Sequence, residues 1–345
     1  MTSNRTIGLP ATFAAMLTGT VFAAASLAAS AETIEELAAK AASEGEIVWY
    51  EANSPEMGDK LVAAFNEEFP DVALRFERVP GAQGITTKIV QETEANAPTA
   101  DVTTTGIDQI YGLYERGLIE SIDWSAYGVP AELTPQPYAV AATAATWVIV
   151  YNTNNVAEAD APKSWEDLAD PKWRGKLGIW AIGHAQANLA AEWGEERVTA
   201  WMEQLVAQEP LLYKSNFNIA QNLASGEISV GITPLHVALA TQAKGAPLGI
   251  VAPEPTSMSM IYSGVIKGTP RPNGARLLVA WLSSESGALA YEEATGRGNP
   301  FLEFTETAKY LAGRKLSTFP PEETATLQEL VSKYTEMLRS AGTAQ

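Results

Sequence analysis

Short apolar runs rich in β-branched residues alternate along this chain with helical segments that carry their own start and stop signals. That alternation constrains the fold more than any other feature. Thr33-Ile34-Glu35-Glu36 is a capping box opening an Ala-rich helix that Gly45 stops. Glu46-Ile47-Val48-Trp49-Tyr50 reads as a buried strand. Ser54-Pro55-Glu56 supplies an N-cap, a Pro at the first helical position and an early acid. The helix behind it carries Leu61, Val62, Phe65 and Phe69 and ends at Pro70. Residues 72–79 form a second strand, Gly81-Ala82-Gln83-Gly84 a tight loop, and residues 101–106 a third strand feeding a helix with Ile110, Leu113 and Tyr114. Strands and helices alternating at this spacing predict a parallel α/β sheet. Ligands of such sheets meet the loops after the carboxyl ends of the strands, where Ser54, Gln83 and Thr105 fall.

A chain of 345 residues exceeds one usual core, so two lobes are expected. Residues 139–150, small and β-branched, predict an extended crossing between them. A second α/β set follows: a strand at 177–181, then Gly183-His184-Ala185-Gln186 opening a long helix through Trp193 and Trp201. Residues 228–233 form another strand, and Pro234 starts the helix containing His236. Residues 260–266, with Gly264, predict the return crossing, and a helix spanning 321–338 comes last. The expected architecture is α/β and two-lobed, each lobe a mostly parallel sheet flanked by helices, with two crossing hinge strands. Lobe 1 is assigned residues 32–140 and 262–300, and lobe 2 residues 141–261 and 301–345.

Arg5 is the only charge before Glu32, and an apolar, Ala-rich stretch ends at Ala29-Ser30-Ala31. This is the pattern of a secretory leader cleaved after Ala31. Thr, Ser, Gly and Pro dilute the stretch below a convincing membrane span. Loss of the leader leaves 22 basic against 41 acidic residues, a net charge of −19. So acidic a surface repels phosphate backbones and argues against nucleic-acid binding. The chain has no Cys, which excludes disulfides, thiolate metal sites and cysteine nucleophiles.

Several ordered motifs resemble those of one family. They are Glu44-Gly45-Glu46-Ile47-Val48-Trp49-Tyr50, Tyr151-Asn152-Thr153, Pro162-Lys163-Ser164-Trp165-Glu166-Asp167-Leu168 and Asp170-Pro171-Lys172-Trp173-Arg174-Gly175-Lys176. Gly226-Glu227, Ser263-Gly264 and Trp281-Leu282-Ser283-Ser284-Glu285-Ser286-Gly287 complete the set. The chain resembles the extracellular solute-binding proteins of ABC importers, in their ferric-iron-binding-like branch. The resemblance implies a type II periplasmic binding fold, a periplasmic location, and delivery of a trapped small-molecule ligand to an ABC permease of the inner membrane. The iron-binding members carry two adjacent tyrosines after the strand corresponding to residues 228–233; here that place reads Thr233-Pro234-Leu235-His236. The resemblance therefore carries the fold over and not the metal.

The residues expected to touch ligand are Ser54, Gln83, Thr105, His184, Gln186, His236, Tyr262 and Arg297. Ser54 also reads as a plain helix cap, and Thr103-Thr104-Thr105 as ordinary strand composition. His184 and His236 stand at helix starts, where free N–H groups and the positive end of the dipole favour an anion and disfavour a protonated ring. Arg297, in Gly296-Arg297-Gly298-Asn299-Pro300, reads either as a structural ion pair or as a bidentate clamp for carboxylate or phosphate. Trp165, Trp173, Trp193, Trp201 and Trp281 fit packing, whereas Trp49, Trp147 and Trp180 stand near cleft-facing strand ends. Adjacent acids Glu195-Glu196 and Glu292-Glu293 point about 100° apart on a helix and read as solvated faces, not as a glycosidase dyad. There is no Gly-x-Ser-x-Gly, His-Glu-x-x-His or Walker motif. The expectation is a monomeric, non-enzymatic binding protein that needs no cofactor and no metal. Its favoured ligand is a small organic anion such as an organophosphate or carboxylate. A cation (polyamine, thiamine or metal) is the alternative, and a secreted hydrolase the reading from another class.

Overall fold

In the computed structural model, which describes residues 32–341, 343 and 344, both α/β sets form and join through two long strands. The expected leader and its cleavage point lie outside the described residues. In the first half, β1 (Ile47–Glu51), β2 (Leu74–Arg78) and β3 (Val102–Gly106) are parallel, with Ile47 opposite Leu74 and Trp49 opposite Val102. Helix α1 (Ile34–Ala41) precedes β1, α2 (Pro55–Glu68) and α3 (Ala82–Glu94) connect the three strands, and α4 (Ile107–Glu115) follows β3. The Thr33–Glu36 capping box is closed in both directions, and Ser54 Oγ accepts from Met57 N. β1 is buried on both faces, as parallel strands covered by helices must be.

β4 (Val140–Asn152) is the first crossing. The second half then builds β5 (Leu177–Trp180), α5 (His184–Trp193), α6 (Glu195–Val206) and β6 (Leu211–Tyr213). It continues through α7 (Asn216–Ser225), β7 (Val230–Pro234), α8 (Leu235–Gln242) and β8 (Leu248–Val251). β9 (Thr256–Val265) returns, followed by α9 (Pro272–Ser283), α10 (Glu285–Thr295), α11 (Glu306–Leu311), the short β10 (Leu316–Ser317), α12 (Thr324–Ala341) and β11 (Thr343–Ala344). The strand order is β11-β6-β5-β7-β4-β9-β3-β1-β2, with β8 beside β4 and β10 beside β9.

β4 and β9 run antiparallel and each belongs to both halves. The early part of β4 pairs with β9, from Val140–Ser263 to Thr146–Met258; its late part pairs with β7 and β8. β9 in turn pairs with β3, from Ile261–Gly106 to Val265–Val102. Past the Ala and Thr run of β4, Val148 and Val150 face the smaller second core, and Ile149, on the opposite face of the strand, packs in the main one.

The first half is closed by late segments of the chain. Trp281 of α9 meets Phe65 of α2 edge-on at 5.3 Å, and α9 packs on α1. Asp101, fully buried, accepts from Val48 N at 2.6 Å and forms an ion pair with Arg271 at 2.8 Å. Buried charge is tolerated there because both carboxylate oxygens meet donors, Oδ2 from Val48 N and Arg271 Nε and Oδ1 from Thr269 Oγ1. Two details differ from the sequence reading. The long helix expected through Trp193 and Trp201 is two helices, because Gly194 takes φ +77° and restarts the chain at Glu195. Glu292 is not on a solvated face: its carboxylate accepts from Glu306 N, Thr307 N and Thr307 Oγ1 and so caps α11. Glu195 and Glu196 are solvated as expected.

Candidate functional site

Strand ends and helix starts from both halves enclose two adjoining cavities that share Ala52, Ala82, Gly106, Phe217, His236, Ile261 and Arg297. One, of about 550 Å3, is walled by Glu51, Asn53, Ser54, Arg78, Thr105 and Arg297 and is called the arginine cavity below. The other, of about 400 Å3, is walled by Trp147, Trp180, His184, Asn188, Asn216 and Phe319 and is called the aromatic cavity.

The starts of α3, α4 and α8 open onto the arginine cavity through Ala82, Gly106 and His236, and none of the three has a side-chain cap. Their first N–H groups therefore have no capping side chain, and three positive dipole ends face the cavity. Arg297 lies at the floor, only 14% exposed. Its Nη2 donates to Asn53 Oδ1 at 2.5 Å, Tyr291 Oη at 3.1 Å and Glu51 Oε1 at 3.3 Å. Tyr291 Oη in turn donates to Glu51 Oε1 at 2.5 Å, and Glu51 Oε2 is buried without a partner. Burial pushes the Glu51 carboxyl up to about 7, against the pull of Arg297, Tyr291 and Asn53. His236 is brought down to about 3, first by burial and then by the Arg297 charge. It is a neutral imidazole at pH 7, with one donor and one acceptor nitrogen. Burial and the arginine, rather than the helix start, are what keep it neutral.

The aromatic cavity is built on a ladder of rings. Trp147 stacks on Trp180 at 5.8 Å and 20°, and Trp180 stacks on His184 at 5.7 Å and 19°. Burial lowers the His184 pKa, opposed by Asp108 across the cleft. Asn188 lies one helical turn beyond His184; its Nδ2 donates to His184 O and Ser259 Oγ, each at 2.9 Å. The Oδ1 atoms of Asn188 and Asn216 are buried without partners.

The sequence pattern of the bacterial extracellular solute-binding protein family matches residues 60–318. The chain belongs to that family. This solute-binding protein is 30% identical to an uncharacterized protein of Haemophilus influenzae over 270 residues, covering 72% of this chain and 76% of that one. Its structure resembles iron-bound HitA from Pseudomonas aeruginosa, with TM-score 0.70, 20% identity, and 85% and 99% of the two chains covered. It also resembles AfuA from Actinobacillus pleuropneumoniae bound to fructose-6-phosphate, with TM-score 0.68, 23% identity, and 86% and 99% covered. The fold is the type II periplasmic binding fold of the ferric-iron-binding-like branch, and the role is that of the solute-binding component of an ABC importer. Among the described residues no helix is long and apolar enough to cross a membrane.

Five of the eight side chains expected at the ligand line this solute-binding protein's cavities: Ser54, Thr105, His184, His236 and Arg297. Thr105 Oγ1 is buried without a partner. The other three point elsewhere. Gln83 is exposed, and the loop presents Gly81 and Ala82 to the cleft instead. Gln186 is buried on the far side of α5, because two residues turn a helix by about 200°; Asn188, four residues after His184, takes the cleft face. Tyr262 is buried in the core, and the cleft is lined instead by Ser259, Met260 and Ile261 of the same strand. Asn53, Asn188, Asn216 and Phe217, which also line the cavities, were not among the residues expected at the ligand. Of these, Asn188 was reachable by the four-residue helix period from His184.

Among the described residues no three His, Asp or Glu side chains converge as metal ligands. Because Leu235 and His236 stand where the iron-binding members carry their tyrosine pair, the protein is expected to give no visible phenolate charge-transfer band with ferric citrate. Titration followed by absorbance checks this, and a band lost on mutating a Tyr would overturn it.

Proposed function

We propose that this solute-binding protein is a non-enzymatic periplasmic monomer that captures a small organic anion, a phosphate ester or carboxylate, and hands it unchanged to its permease. Lobe 1 comprises residues 32–140 and 262–300, and lobe 2 residues 141–261 and 301–345. The observation that carries the reading is the convergence of three uncapped helix starts on Arg297 and Arg78. The anionic group sits among those N–H groups, with Thr105 and Ser54 hydroxyls and the neutral His236 ring supplying directional hydrogen bonds. A cation would need a free carboxylate. Glu51 is the acid at the floor of that cavity, and Arg297 already holds it. The acidic surface acts at long range and is screened within about 8 Å at physiological salt, so the local donors decide.

Native mass spectrometry of protein purified from periplasm without refolding tests the reading. A co-purified anion is the expected result; a polyamine or a metal ion would overturn it. With the recovered anion, β4 and β9 act as the hinge of a closing cleft. The radius of gyration is expected to fall and Trp emission to shift; unchanged small-angle scattering at saturation would count against closure.

A further inference from the structure

We infer that the aromatic cavity is the subsite for a planar aromatic or heteroaromatic ring, so that the ligand is a ring-bearing organic anion; this rests on the anion reading of the arginine cavity. The three rings of Trp147, Trp180 and His184 stack in one ladder that walls the cavity. Phe217 faces the ladder's cavity and the arginine cavity alike, is 55% exposed, and has no aromatic partner among the described residues. An apolar ring left that open gains from a second ring laid against it. Ile107, Met260 and Phe319 add apolar surface to the same cavity.

The polar atoms there are as informative. Asn188 is 1% exposed, and its Oδ1 has no partner although its Nδ2 has two. Asn216 Oδ1 is likewise buried and unpartnered. Two orphan carbonyls beside stacked rings ask for ligand donors, such as a ring N–H, an exocyclic amine or a ring hydroxyl. Because the two cavities share Gly106, Phe217 and His236, one small molecule can place its anionic group in the first and its ring in the second.

The probes are matched pairs followed by calorimetry: phenyl phosphate against glycerol 2-phosphate, benzoate against lactate, and benzyl alcohol as the uncharged ring. The ring-bearing anions are expected to bind about ten-fold more tightly than their aliphatic partners. Phe217→Ala, at an exposed position, and Trp180→Leu, which keeps an apolar filling, should each shrink that ratio while the melting temperature shows both variants folded. Equal affinities within each pair overturn the ring subsite and leave the anion reading standing. Binding of benzyl alcohol with no binding of any anion supports the ring subsite and overturns the anion reading. No binding by any probe overturns both.

Discussion

At pH above about 8, where Glu51 is ionised, Arg297→Ala is expected to destabilise the protein by up to about 3 kcal/mol, because it strips the partner from a buried carboxylate. Glu51 is 3% exposed, and its Oε1 accepts from both Tyr291 and Arg297. Without the guanidinium, the carboxylate has only Tyr291 and Asn53 to offset its desolvation. Glu51→Gln keeps the carbonyl that Tyr291 donates to and removes the charge. The double variant Glu51→Gln/Arg297→Ala should therefore return to within about 1 kcal/mol of the wild type. Affinity for phenyl phosphate should stay lost in the double variant, since the ligand's own cation is gone. Denaturant unfolding and calorimetry on the three variants check the two halves separately. A double variant as unstable as Arg297→Ala, or one that regains affinity, would sink the account.

Across mildly acid pH, Glu51 and His236 are expected to pull stability in opposite directions. Glu51 titrates near 7 in the folded protein against 4.5 in the free side chain. The folded state holds that proton more firmly, so this group's contribution is full below pH 4.5 and is lost as pH rises through 7. His236 sits near 3 against 6.5. Folding rejects its proton, so its contribution is full above pH 6.5 and is lost as pH falls toward 3. Each group adds a slope of up to about 1.4 kcal/mol per pH unit. Between pH 4.5 and 6.5 the slopes oppose each other, and the wild-type profile should be shallow. The stability of Glu51→Gln relative to wild type should climb by about 2–3 kcal/mol from pH 4.5 to 7. That of His236→Ala relative to wild type should climb as pH falls below 6.5. Ligand-free melts from pH 4 to 8 measure both; parallel curves for all three proteins would refute the assignment of the two groups.

The fold was readable where local chemistry repeats. Capping boxes, β-branched runs and the Ala and Thr crossing strand each announce themselves within ten residues. β6 and β8 did not, because strands of three or four residues carry too little periodicity to be told from loops. Gly194 broke a helix whose apolar pattern runs on past it. In the site, the rule that ligands meet strand ends leads to loops that line the two cavities, yet Gln83, Gln186 and Tyr262 are not among the lining side chains. Facing is set by exact register, which composition does not encode. The Glu51–Arg297 pair was beyond any spacing argument. Its members stand 246 residues apart, and only the return of the chain through β9 brings them together.

That return also sets the order in which the molecule can be finished. The first half waits for Arg271 to meet Asp101, 170 residues earlier, and for Trp281 to cover Phe65. At about 5–20 residues per second, the wait is on the order of 10–30 s of synthesis. Throughout that interval the nascent N-terminal segment has three strands and no lid for its apolar face, so it remains pliable and a fit client for holding chaperones. Moving residues 267–300 to the front by circular permutation, which leaves β9 whole, would abolish the wait and would be expected to bring protease resistance to the first half earlier in synthesis while leaving the folded protein unchanged.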